Sequence, residues 1–370
     1  MTGGSLAFAG NPEPFLIGTN TTGANASASR GIYSAVLNAA DGTIADLKLA
    51  AEVPTPSFLA HHPTHDVIYA VVGAAEFNGE SGGGIVAFSR DASTMEWKPL
   101  SNQAVGGQNP CHLALDPTGQ IVITANYGDG TVSVFPVRAD GSLGPRSQLI
   151  QHTGSGPNES RQKGPHPHGI TFSPDSRLVF VPDLGIDQIK IYDVDASGAR
   201  LTPAQPDAVD LPSGAGPRHF VFSPDGKHAY SINELDSTIT VFAWDSAKAV
   251  LAALASVSTL PTDWTGKNST AEIAVHPSGQ FVVGSNRGHD SLAVFKRDTT
   301  TGMLSPLSVV ACGGEKPRSF SFSPDGHWVV VANQSSNTLT TFAFDAATGA
   351  LTPTGHSADV GMPVCVLFEE

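Results

Sequence analysis

Three arginines stand in matched settings along the chain. Arg218 follows Gly216-Pro217, Arg318 follows Lys316-Pro317, and Arg287 follows Ser285-Asn286. A guanidinium presents a planar fork of donors that suits a carboxylate or a phosphate. Glu234 follows Asn233, Asp183 follows Val181-Pro182, Tyr127 follows Asn126, and imidazoles stand at His166-Pro167-His168 and at His219. Brought together, these side chains would hold an anionic small molecule beside groups able to move a proton. Two histidines on one strand face could also ligate a metal, but no third or fourth ligand motif accompanies them, so neither a metal nor another cofactor is expected. Arg218 and Glu234 can equally be read as a buried, mutually neutralising pair.

What would bring them together is a repeat. Asn109-Pro110-Cys111-His112, Gly216-Pro217-Arg218-His219 and Lys316-Pro317-Arg318-Ser319 each open an apolar strand that ends in a Pro-Thr/Asp-Gly turn. The turn prolines Pro63, Pro117, Pro174, Pro224, Pro277 and Pro324 recur every 47 to 57 residues. In a β-rich chain that period means a propeller, one repeat to a blade. A seventh blade is split between the ends. Residues 362–368 supply a first strand, while residues 15–19 and 31–36 supply a second and a third. The fold class is therefore all-β: a seven-bladed propeller of four-stranded antiparallel blades, one domain over residues 1–370, its ring closed by pairing N- and C-terminal strands.

This topology selects the residues above. The first strand of a blade lines the central channel and the second runs antiparallel beside it, so the start of one and the end of the other share a rim. First-strand starts supply Ser57, His112, His166, His168, Arg218, His219, Glu272, Arg318 and Cys365. Second-strand ends supply Tyr127, Asp183, Glu234, Arg287 and Gln334. The Ser-Pro-Asp-Gly turns occupy the opposite rim, with Pro presetting φ and Gly relieving a left-handed corner. The repeated Asn126, Asn233, Asn286 and Asn333 read as caps on local backbone. Residues 74–84 and 151–165 read as strandless Gly-rich loops. The second of these precedes His166 on the active rim, and its Arg161 and Lys163 are expected to close over an anion.

Composition limits the partners. The formal charge is −14, with only 20 Lys and Arg among 370 residues, so nucleic acid and anionic membrane are unfavourable partners. No apolar run reaches a bilayer-spanning length, and residues 1–10 lack a signal-peptide pattern. A cytoplasmic location is expected, or a periplasmic one if a leader has been removed, for a monomer or weak homo-oligomer. Three cysteines are too few and too scattered for a disulfide frame.

The blocks Gly164-Pro165-His166-Pro167-His168, Gly216-Pro217-Arg218-His219-Phe220, Asn233-Glu234-Leu235-Asp236-Ser237 and Ser285-Asn286-Arg287-Gly288-His289-Asp290 together resemble the seven-bladed propeller lactonase family. That family includes bacterial 6-phosphogluconolactonases and fungal carboxy-cis,cis-muconate cyclising enzymes. The resemblance implies a site built from His168, Arg218, Glu234 and Arg287, and the rim reading adds His166, Arg318, Tyr127, Asp183 and His219 around the substrate. It implies hydrolysis of a sugar-acid lactone: Glu234 or His168 as the base acting on water, Arg218 at the oxyanion, and Arg287, with Arg318, on the substrate's phosphate or carboxylate. Which of His166 and His168 faces the channel is open from spacing. The absence of a Gly-x-Ser-x-Gly motif argues against an acyl-enzyme. Two alternatives remain: a lactone-forming muconate cycloisomerase using the same residues, and a protein-binding propeller, for which the single Trp244-Asp245 pair is a poor signature.

Overall fold

The computed structural model describes residues 12–22 and 29–369. The N-terminal residues 1–10, read above for a leader, lie outside them. Seven four-stranded antiparallel sheets follow one another as the repeat predicts. Blades 1 to 6 span residues 59–104, 110–151, 171–210, 217–258, 269–311 and 317–359. Blade 7 is the composite one, with the C-terminal strand Pro363–Phe368 innermost, paired to Glu13–Thr19, then Gly31–Leu37 and Ile44–Glu52. Phe15 opposes Phe368 and Ile17 opposes Val366, which closes the ring.

Burial follows strand position. The second strands Ile121–Asn126, His228–Asn233 and Trp328–Asn333 are buried at every residue, as apolar β-branched and aromatic runs between two neighbours should be. The outer strand Val250–Ser258 instead alternates towards solvent. Among the described residues the buried apolar side chains form seven clusters, each shared by two adjacent blades. Every blade is therefore held from both sides, including across the seam between blade 7 and blade 1.

The turns behave as their residues require. In blade 4, Ser223 Oγ donates to Asp225 Oδ1 at 2.6 Å and accepts from His228 N at 3.1 Å, while Gly226 takes φ +64°. The buried asparagines differ from expectation. Instead of capping local backbone, Asn126 and Asn233 donate to hydroxyls of the third strand, at Thr131 and Ser133 and at Thr238 and Thr240. Those bonds satisfy a buried amide and lock the second strand to the third. Residues 74–84 are not strandless either, because Glu76–Phe77 and Glu80–Ser81 pair as a small hairpin. All three cysteines are buried free thiols.

Candidate active site

The rim is shaped by one recurrent backbone device. In blades 2, 4 and 6 the residue before the first strand is left-handed, at Asn109, Gly216 and Lys316, with φ +52°, +65° and +54°. A proline follows, and then one residue drops out of register with the second strand. Pro217 opposes Asn233 and His219 opposes Ile232, so Arg218 has no opposite number; Cys111 and Arg318 are displaced in the same way. A bulge of this kind re-aims one side chain away from the ladder. Cys111 and Arg318 are thereby turned onto a cavity of about 430 Å³, lined also by Tyr127, Arg161, His168, Glu234 and Arg287. Arg218 is buried against its wall.

Glu234 is the hub of this cavity. Its Oε2 lies 3.1 Å from Arg218 Nε and 2.8 Å from Arg287 Nη2, and its Oε1 accepts from Arg161 Nη2 at 2.6 Å. Burial pushes this carboxyl up, but the combined fields of Arg287, Arg218 and Arg161 outweigh it and bring it down to about 2. Arg218 and Arg287 are held further by donation to the carbonyls of Ala271 (2.6 Å) and Thr270 (2.7 Å). Arg318 makes no hydrogen bond or ion pair with any described residue. Among the described residues, four guanidiniums thus face the cavity and its wall against the one carboxylate that lines it.

His168 is the cavity's titratable group with a free end. Its Nδ1 lies 3.6 Å from Cys111 Sγ, and its Nε2 has no partner among the described residues. Burial and then Arg218 hold the imidazole neutral, well below its usual range. Cys111 is no rival nucleophile, because burial pushes its thiol up to about 12.

The two histidines of the His-Pro-His block part company. Pro167 has no N–H for a ladder, and the regular first strand of blade 3 shrinks to Thr171–Phe172. The expected shared strand face is therefore absent. His168 turns to the cavity, while His166 stacks on Tyr127 with ring centroids 4.3 Å apart and puts Nδ1 2.6 Å from the Tyr127 carbonyl oxygen. Asp183 is fully buried and does not reach the cavity. Its Oδ1 accepts from His166 N at 2.6 Å and its Oδ2 from His152 Nδ1 at 2.7 Å. His219 also stands off the cavity, behind Arg218.

Arg161 is the residue missing from the set carried by the family motifs. It comes from the 151–165 loop, whose charge and position on the rim are legible but whose contact with Glu234 and with the Tyr127 hydroxyl (3.1 Å) is not. Contacts within the protein tie the loop down. Gln162 is fully buried and donates to Leu184 O and Asp187 Oδ1, both at 2.8 Å.

A larger groove of about 660 Å³ between the outer strands of blades 7 and 1 offers no comparable constellation. Its Arg90 is neutralised by Glu369 at 2.5 Å and lies over Trp97.

Known proteins share this architecture over most of the chain. The family described as "Lactonase, 7-bladed beta-propeller" matches residues 14–368. A 6-phosphogluconolactonase of Bacillus subtilis is 36% identical over 306 residues, 83% of this chain and 84% of that protein. A 6-phosphogluconolactonase of Formosa agariphila is 31% identical, over 79% of this chain and 82% of its own. The structure of the periplasmic gluconolactonase of Pseudomonas aeruginosa superposes with a TM-score of 0.90 at 32% identity, covering 97% of this chain and 99% of that one. The chain belongs to the seven-bladed β-propeller lactonases, and its named relatives make it a lactonase, a carboxylic-ester hydrolase.

Proposed function

We propose that this protein hydrolyses the lactone of an anionic sugar acid, with 6-phosphogluconolactone first among substrates and unphosphorylated aldonolactones next. Sugar-lactone hydrolysis is supported by the relatives named above. The preference for an anion rests on one observation: Arg318 faces the cavity with no carboxylate of its own. A buried or half-buried guanidinium is stable there when an anion completes it.

His168 is the base in this reading. Both oxygens of Glu234 are engaged by arginines, which hold it ionised at about 2, whereas no described residue engages His168 Nε2. Neutral His168, with Nε2 open to the cavity, takes a proton from water as the water oxygen bonds to the lactone carbonyl carbon. Negative charge gathers on the former carbonyl oxygen, where Arg218 and Arg287, both fixed by Glu234, stabilise it. The bond from that carbon to the ring oxygen then breaks, and the ring oxygen leaves with the proton held on His168. Glu234 therefore organises the arginines rather than accepting the proton. The lactone-forming alternative needs a proton donor towards substrate, which neutral His168 and a thiol pushed up to about 12 supply poorly at neutral pH.

The test is a pH-stat comparison of 6-phosphogluconolactone and gluconolactone with wild type and Arg318→Ala, beside an ultraviolet assay for muconate consumption. Losing a charged hydrogen bond worth about 1.5–3 kcal/mol should lower kcat/KM roughly 10- to 100-fold for the phosphorylated lactone. The neutral lactone should lose severalfold less. Equal losses on both would remove Arg318 from the phosphate, and muconate turnover without lactone hydrolysis would overturn the reading.

A further inference from the structure

Arg218 has a second set of partners on the side away from Glu234. Its Nη1 lies 3.1 Å from His219 Nε2 and 3.4 Å from Nδ1, against the imidazole ring, and His219 Nδ1 lies 2.7 Å from Glu272 Oε1. An ionised carboxylate can only accept, so Nδ1 carries the hydrogen given to Glu272, and the guanidinium rests against the imidazole that this bond orients. Carboxylate, imidazole and guanidinium thus form one line of contacts, a hydrogen bond followed by packing, and each link fixes the next.

The line crosses the waist of the propeller. Glu272 lines a second cavity of about 420 Å³ that also takes in Phe58, His61, His62, Ser319 and Cys365, and this cavity shares no lining residue with the first. Between the two stand the rings of Phe58, His112 and His219, with centroids 3.9 Å apart for the first pair and 5.0 Å for the second. Glu272 therefore meets solvent from the opposite end of the channel, while its effect is delivered to the wall of the cavity that holds His168 and Glu234.

We propose that Glu272 and His219 are positioning residues for Arg218, aiming its guanidinium and supplying counter-charge from behind, so that protonation of Glu272 through the far cavity slows hydrolysis. The inference rests on the reading of Arg218 as the group at the oxyanion. Arg218 needs the help, because burial, Arg318 and Arg287 pull its ionisation down to about 9, and Glu234 and Glu272 oppose them. Glu234 is shared among three arginines. Glu272 has Arg218 as its principal charged neighbour, through His219.

The groups facing Glu272 are His219 and Arg218 from blade 4, His112 from blade 2, Arg318 from blade 6 and Cys365 from blade 7, with His61 and His62 of blade 1 lining the same cavity. Burial holds His112 and His219 neutral and pushes the Cys365 thiol up to about 12. Burial also raises the Glu272 carboxyl, to about 7 against the opposing field of Arg218. Glu272 is the carboxyl that burial brings to neutrality here. It is ionised and active above that pH, so kcat should fall as pH drops through about 7.

The experiment is a kcat–pH profile from pH 5.5 to 8.5, corrected for uncatalysed lactone opening, for wild type, Glu272→Gln, His219→Phe and Arg218→Lys. Gln still accepts from His219 but brings no charge. Glu272→Gln should lower kcat at pH 8 about 10-fold, a part of the 10²–10³ typical of deleting an oxyanion donor. It should also flatten the limb near 7, leave KM within about twofold, and melt no lower than wild type at pH 8, since it removes a carboxyl that burial disfavours when charged. His219→Phe fills the same space, breaks the line and should reproduce the kcat loss at pH 8. A Glu272→Gln enzyme with wild-type kcat and an intact limb, beside a crippled Arg218→Lys, would overturn the positioning line and leave the oxyanion reading standing. Wild-type kcat in Arg218→Lys would bring down both.

Discussion

At the scale of the residue, Glu234 shows why a buried carboxylate among arginines is a structural charge before it is a chemical one. Its side chain is 5% exposed and answers Arg161, Arg218 and Arg287 at once. Relative to an unfolded value of 4.5, a folded value of about 2 makes its ionised form a source of stability above about pH 4.5. That stability is lost as pH falls from there towards 2, and at 1.36 kcal/mol per pH unit it amounts to about 3 kcal/mol. Replacing Glu234 by Gln should therefore destabilise the protein by about 3 kcal/mol at pH 7. In urea titrations the gap between variant and wild type should narrow at pH 3. A gap of the same size at both pH values would show that the loss comes from packing or hydrogen bonding and not from charge. The same geometry makes His168 the decisive position for turnover: His168→Gln should reduce kcat by about 10² or more, the range of a lost general base. Near-wild-type turnover in that variant would return the proton to Glu234.

At the scale of the element, what a repeat encodes is legible and what interrupts it is not. Pro110, Pro217 and Pro317 recur with the blade, and each proline precedes a strand whose alternation is plain in the sequence. Pairing Pro217 with Asn233 and placing Glu234 beyond it needs nothing more than antiparallel order. The bulge that ejects Cys111, Arg218 and Arg318 is a matter of register, which composition does not record. Arg161 is further from view, because the loop that bears it has no period and meets Glu234 across 73 positions of sequence. Asp183 and His219 sit at the right ends of the right strands, and both support the site from behind it.

Asp183 joins both ends of that loop, taking His152 Nδ1 at its start and His166 N at its end. His152 passes the constraint to the Tyr192 hydroxyl, 2.9 Å from Nε2. In Asp183→Asn the three donors His166 N, Gly185 N and His152 Nδ1 meet one uncharged oxygen and an NH2 group, and bonds to a charged acceptor are worth about 1.5–3 kcal/mol. The loop should open more often and withdraw Arg161 from Glu234. Limited trypsin digestion should then cut after Arg161 or Lys163 roughly 10- to 100-fold faster than in wild type, by the same energy. Wild type should resist with or without 6-phosphogluconate. Wild-type cleavage that slows on adding this acid would mean that the ligand, and not Asp183, orders the loop.

At the scale of the whole molecule, the ring has one place where it can be opened without breaking a loop, and that is the terminal strand. Pro363–Phe368 is the inner strand of blade 7, and its side chains enter two inter-blade cores: Cys365 towards blade 1, and Val366 and Phe368 towards blade 6. Phe368 lies against Phe15 with ring centroids 5.3 Å apart, and Glu369 reaches Arg90 of blade 1. Burying a Val or Phe side chain contributes about 1.5–3 kcal/mol, so Val364, Val366 and Phe368 together approach the 5–15 kcal/mol that holds a typical domain folded. Deleting residues 361–370 would also expose the ladder edge of Glu13–Thr19 in blade 7 to strand pairing between molecules. The cavity would suffer with the core, since Asn20, Thr55 and Ser57 line it from the same seam. The truncated chain should be recovered largely aggregated, or melt far below the full-length protein. Phe368→Ala gives a milder version, with an expected loss of about 3–5 kcal/mol from one emptied core position. A truncated protein that stayed monomeric with an unchanged Tm would show that the ring does not depend on its terminal strand for closure.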